Sequence, residues 1–167
     1  MHAHRLACLA ALCLVSGFLV SACDTGDDEV GPAEVAGEYL FTEFRFVPDS
    51  PLLPAVEVLD TLIVSDTRLQ LFSSGRFTLL YQFEGARPEF IGGSFHVNEE
   101  RVRLVGHEDE EPFFRRLLLS PEITLERDGE DGFRAGFPRT VNLEEFSLRY
   151  RGLRTVDGMI VLRLTRR

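Results

Sequence analysis

The chain has 167 residues, with 18 basic side chains against 27 acidic ones and a net charge of −9. That balance disfavours nucleic acid and broad contact with anionic headgroups, so neither is an expected partner. Fourteen phenylalanines and no tryptophan make Phe the main aromatic filler of any core.

In chain order, residues 1–5 carry one firm positive charge, Arg5, and no acid occurs before Asp24. Residues 6–20 are an apolar run, too short for the roughly 20 residues that cross a bilayer, and small residues then lead into a cysteine. The stretch Leu19-Val20-Ser21-Ala22-Cys23 resembles the lipobox of bacterial lipoproteins, whose cysteine thiol is acylated, with palmitate-type chains, after the preceding bond is cut. The resemblance implies a signal peptide at 1–22 and Cys23 as the lipidated first residue of the mature chain. It further implies membrane attachment through that lipid, at the bacterial cell envelope. Cys8 and Cys13 leave with the leader, so no intramolecular disulfide is expected. Loss of Arg5 brings the mature charge to −10.

Residues 23–36 are small, polar and acidic, with too little apolar surface to fold alone, and read as a flexible tether. The acids Asp24, Asp27, Asp28 and Glu29 are similar to surface-export signals in lipoproteins of the Bacteroidota. Asp directly after the cysteine also resembles an inner-membrane retention signal of enteric bacteria. The outer membrane, on its periplasmic or surface face, is the favoured destination.

From Gly37 to Arg167 the sequence alternates with period two, which predicts one all-β domain of eight to ten strands. Tyr39 and Phe41 share one parity, Phe44 and Phe46 the other, which predicts a bulge near Thr42-Glu43. Residues 48–54, with Pro48, Pro51 and Pro54, read as a loop; residues 57–65 and 68–73 read as strands. Phe77, Leu79, Tyr81 and Phe83 then face one way after the turn at Ser73-Ser74-Gly75. Phe95, Val97, Val102 and Leu104 continue that face around a turn at Asn98-Glu99-Glu100. Residues 107–112 read as an acidic loop and 113–119 as a strand with Arg115 and Arg116 on opposite faces. Ile123 and Leu125; Phe133, Ala135 and Phe137; Phe146, Leu148 and Tyr150; and Ile160, Leu162 and Leu164 supply further stripes. Residues 141–146 have room for one helical turn. The strands are spaced as an antiparallel up-and-down meander, closed into a barrel or folded as a two-sheet β-sandwich.

Gly37-Glu38-Tyr39 is similar to the Gly-x-Trp opening of lipocalins, with Tyr in place of Trp. The run Leu69-x-Leu71, Gly75-Arg76-Phe77, Gly92-Gly93-Ser94-Phe95-x-Val97 and Val102-x-Leu104 resembles the central meander of lipocalin-like bacterial lipoproteins. The resemblance implies a barrel floor closed by Tyr39 under a late-strand Arg, with Arg149, Arg151 and Arg163 as candidates. It also implies a cavity for a small hydrophobic or amphipathic ligand, lined by Tyr39, Phe77, Leu79, Tyr81, Phe95 and Phe133. Arg115, as an inward Arg, is a candidate for the ligand's carboxylate, or else sits at the rim paired to a loop acid. The alternative function is a structural or interaction lipoprotein with a filled barrel.

No catalytic constellation, cofactor motif or metal set emerges. His96 has the parity of a solvent-facing residue, and His107 beside Glu108, Asp109, Glu110 and Glu111 reads as a charged loop tip rather than a cation site. There is no Gly-x-Ser-x-Gly; Ser94 lies in strand context. An enzyme is not expected, and no protein partner is named by these residues.

Overall fold

Every strand after Gly37 owes its place to the alternation of apolar and polar side chains, which only a half-buried sheet satisfies. The computed structural model describes residues 30–59, 61–98, 101–145, 151–152 and 155–167. The leader, Cys23, the first part of the tether, and Phe146, Leu148, Arg149 and Tyr150 lie outside the described residues.

The strands are β1 (Gly37–Pro48), β2 (Val56–Glu57), β3 (Arg68–Leu71), β4 (Arg76–Tyr81), β5 (Glu89–Asn98), β6 (Arg101–Gly106), β7 (Glu122–Arg127), β8 (Gly132–Val141) and β9 (Val156–Arg166). They form one antiparallel sheet in the order β2-β1-β3-β4-β5-β6-β7-β8-β9, and β1 also pairs with β9. Eight strands therefore close an up-and-down barrel of lipocalin-like architecture, with β2 as an extra strand on the upper part of β1. That closure replaces the sandwich alternative and removes the free sheet edges a sandwich would leave.

The predicted bulge is present: Phe41 pairs with Leu164 and Glu43 with Arg163, so Thr42 is the extra residue. It returns Phe44 and Phe46 to the interior that Tyr39 and Phe41 already face. One continuous cluster fills that interior, from Tyr39 and Val35 at one end to Val141, Leu143 and Phe114 at the other. Each fully buried Phe or Leu contributes roughly 1.5–3 kcal/mol of transfer free energy, so this cluster is the main source of stability.

The two ends of the barrel differ. At the floor the chain enters through a single helical turn, α1 (Pro32–Val35), and the strand connections are short. Gly75 and Gly129 take left-handed φ values of 76° and 77° in two of those turns, a conformation glycine adopts without steric cost. The long connections, from β1 to β3, β4 to β5, β6 to β7 and β8 to β9, start and end at the mouth.

Two expectations for the mouth are corrected. Residues 57–65 are not a strand beyond Glu57. The N–H groups of Leu62 and Ile63 turn back onto the Val58 carbonyl, which lets Val58 and Ile63 both be buried. Residues 113–119 are not a strand either. A 3-10 turn at Glu108–Glu110 leads into a short helix, α2 (Glu111–Arg116), which starts with Pro112 at its first turn. Acids at its start, arginines at its end and the Glu111–Arg115 ion pair one turn apart all favour helix there. The expected helical turn near 141–146 is present as a 3-10 turn at Leu143–Glu145.

Candidate functional site at the barrel mouth

The side chains expected to line a cavity are packed instead as core. Tyr39, Phe77, Leu79, Tyr81, Phe95 and Phe133 are each no more than 3% exposed and belong to the same cluster. Tyr39 meets Phe133 at a 51° tilt with centroids 5.0 Å apart, and Phe77 meets Phe114 edge-on at 6.5 Å. None of these residues lines any of four clefts on the described surface.

What fills the upper barrel is the α2 segment. Phe114, Leu117 and Leu119 drop into the mouth and are buried to within 1%. Gly106 makes room for this, because a Cβ there would overlap the Phe114 ring. Gly93 does the same for Phe77, so two glycines are spent on close aromatic approach. On one side α2 is held by Arg116, whose guanidinium lies 4.8 Å from the Phe83 ring centre and 3.7 Å from the Glu89 carboxylate. Glu89 also accepts a 2.7 Å hydrogen bond from the Tyr81 hydroxyl. Burial, then this hydrogen bond and the Glu89 charge, push the Tyr81 phenol well above its ordinary value. At its end, the α2 segment passes through Leu118, the one described non-glycine residue with a left-handed φ, 63°.

On the other side of α2 an open cleft of about 760 Å³ straddles the rim of the mouth. Its walls are Arg115 and Leu118 from the α2 segment, residues 138–142 at and just past the end of β8, Asp49 just after β1, and Asp157 and Gly158 from β9. Arg115 is exposed and holds Glu111 at 2.6 Å, so it is a rim residue paired to a local acid rather than an inward strand residue. The inward arginine is Arg139. It follows Phe133, Ala135 and Phe137 on the inner parity of β8, is half-buried, and donates a 2.8 Å hydrogen bond from Nη2 to the Leu119 carbonyl. Burial, then the nearby Arg115 charge, lower its pKa from the usual guanidinium value.

The wall beneath Arg139 is incomplete. β7 and β8 pair only at Glu126–Arg134 and Arg127–Phe133, next to their turn. Above that point β8 continues for seven residues bonded to β9 alone among the described strands. Pro138 lies in that stretch, where its missing N–H breaks no ladder. The Arg139–Leu119 hydrogen bond crosses the gap.

The remaining polar candidates do not converge. His96 is exposed, as its parity predicts, and His107 approaches Gly92. No group of three His, Cys, Asp or Glu among the described residues is close enough to hold a metal ion. Ser94 lies within β5.

At the floor, the arginine over Tyr39 is none of the three candidates. Arg166 lies over the Tyr39 ring, 5.9 Å from its centre, and donates to the Ala36 carbonyl. Arg163 is bound to Asp128 at 3.0 Å, Arg151 is exposed, and Arg149 lies outside the described residues. The signal was available: Arg166 continues the inner parity of Ile160, Leu162 and Leu164, whereas Arg163 breaks it. Parity equally singles out Arg139 on β8.

No protein-family model matches this chain, and no curated protein does. Among solved structures it is similar to a lipocalin-like protein from Bacteroides uniformis, with 8% identity and a TM-score of 0.48 over 80% of this chain and 99% of that one. It is also similar to an uncharacterized protein from Bacteroides eggerthii, with 10% identity and a TM-score of 0.44 over 78% of this chain and 98% of that one.

Proposed function

We propose that this protein is a lipid-anchored binding protein of the bacterial cell envelope, attached through Cys23, which takes a small amphipathic molecule at the mouth of its barrel. The observation that carries the reading is the rim cleft. Its volume of about 760 Å³ falls in the range of small-molecule sites, and it combines apolar Leu118, Pro138 and Val141 with convergent charged groups. The ligand's place moves from the barrel interior to its rim, because the interior residues are occupied by one another. The reading includes no chemistry on the ligand.

The second reading is a filled-barrel interaction protein. It is favoured by the continuous core and by the exposed Leu52, 90% accessible in the proline-rich loop at 49–55. Native mass spectrometry of the full chain from a bacterial host, with organic extraction of what co-purifies, separates the two. A stoichiometric amphiphile supports the binding protein; a clean apo mass with no uptake of an apolar probe leaves the scaffold. Cys23→Ser tests the anchor in the same preparations: the variant should lose acyl-chain labelling and leave the membrane fraction. A variant that stays membrane-bound and labelled would refute attachment at Cys23.

A further inference from the structure

We infer that the rim cleft is a site for a small anion, a carboxylate or phosphate group, gripped by Arg139 with Arg115 as the second cation. The inference rests on the mouth-binding reading above and names the charged part of its ligand.

A guanidinium carries five N–H donors and is costly to desolvate unless an anion or several acceptors meet it. Arg139 is on the inner parity of β8 and half-buried, yet its one hydrogen bond among the described residues is to the Leu119 carbonyl. No described carboxylate lies within ion-pair distance of it. The charge that lowers its pKa after burial is that of Arg115, which has its own sign. Two cations facing one cleft are mutually destabilising, and a monoanion between them removes that cost. The other arginines of the mouth do not share this state: Arg116 has Glu89 and Phe83, and Arg115 has Glu111. Asp157, the cross-strand partner of Thr140, accepts from its hydroxyl on the outer parity of the sheet, and Asp49 is exposed. Those acids repel an anion on the outer side of the sheet and leave the inner side, where Arg139 stands, as the place for it. Leu118 and Pro138 line the same cleft, so an apolar tail next to the anionic head has a surface to lie on.

The test titrates the full chain, in mild detergent, with octanoate, acetate, inorganic phosphate and neutral octanol. Binding is followed by calorimetry and by the arginine Nε–H resonances. Octanoate should bind, with acetate competing, and should move the Arg139 resonance. Its affinity should fall about tenfold or more in Arg139→Gln and by a smaller factor in Arg115→Gln. Arg139→Lys, which keeps the charge but loses the planar fork, should recover part of the loss. If Arg139→Gln fails to fold for want of the Leu119 hydrogen bond, Arg139→Lys and the exposed Arg115→Gln make the same comparison. Acetate and phosphate binding through Arg139 with no advantage from the octyl tail would uphold the anion site and refute the amphipathic ligand. Octanol and octanoate binding equally, indifferent to Arg139→Gln, would overturn the anion site while the mouth-binding reading stands. No anion binding up to millimolar concentration, with the Arg139 resonance unmoved, would overturn it as well.

Discussion

Tyr39 and Arg166 are direct cross-strand partners in the β1–β9 ladder, and the guanidinium folds over the tyrosine ring to seal the barrel floor. Three groups make this closure. The Tyr39 hydroxyl donates to the Val35 carbonyl at 2.8 Å, Arg166 donates to the Ala36 carbonyl, and Gly37 leaves the space that the Arg166 side chain crosses. A Cβ on Gly37 would stand 2.9 Å from Arg166 Nε. Arg166→Ala should cost roughly 1 kcal/mol, the sum of an exposed cation–π contact and one hydrogen bond. Gly37→Ala should cost a similar amount in the native background and much less beside Arg166→Ala. A double-mutant cycle by urea denaturation measures that coupling, and strictly additive losses would show that Gly37 serves something else.

The plug at the other end gives a second pair. Phe114→Ala should destabilise by about 3–5 kcal/mol and leave a cavity under α2. Uptake of an apolar fluorescent probe by this variant, absent in the native chain, is the expected companion result. Gly106→Ala should cost about 1–3 kcal/mol through overlap with the Phe114 ring. Phe114→Leu should relieve most of that cost, measured as a smaller Gly106→Ala effect in the double variant.

Deleting Thr42 should be tolerated. The residue is unpaired in the bulge, so its removal leaves Phe41–Leu164 and Glu43–Arg163 intact and makes the inward alternation regular. Deleting Arg45, three positions on, shifts Phe46 off the interior and should abolish cooperative unfolding. Near-ultraviolet circular dichroism of the two deletions decides it; equal damage would mean that the bulge itself shapes the barrel.

Tyr39 and Tyr81 should not titrate as ordinary phenols. Burial raises both, and the Glu89 hydrogen bond and charge add to the effect on Tyr81. A pKa raised on folding gives stability that is complete below the unfolded value near 10 and is lost as pH rises toward the folded value. Stability should therefore decline above about pH 10, and phenolate absorbance from these two residues should appear together with unfolding. Tyr81→Phe should flatten that decline; a Tyr81 that ionises in the folded chain near pH 10 would contradict its burial.

Period-two patterning made most of the barrel legible. The Phe77, Leu79, Tyr81 stripe, the bulge at Thr42 and the meander through Leu104 are local consequences of alternation, and the structure has all three. The passage 107–119 failed because Phe113-Phe114-Arg115-Arg116-Leu117 satisfies alternation poorly and helix charge preferences well; Glu111, Pro112 and Arg115 held the better signal. A strand over 113–119 would turn Arg115 inward; as helix that segment leaves Arg115 at the rim, and the parity of β8 places the inward arginine at Arg139. Whether inward side chains leave a cavity depends on their summed volume and on what plugs the mouth. That sum is non-local, and a stripe of Phe looks the same in a filled barrel and a hollow one.

The described chain both enters and leaves at the floor, through Pro32–Val35 and Arg166, while the rim cleft opens at the far end. A barrel hung from its amino terminus would thus turn its back to the bilayer and its opening to the aqueous space. A molecule leaving the membrane would have to travel around the barrel wall to reach the cleft, whereas one arriving by diffusion would meet it directly. Under the proposed anchoring, the polarity of the fold would favour exchange with soluble donors over extraction from the leaflet.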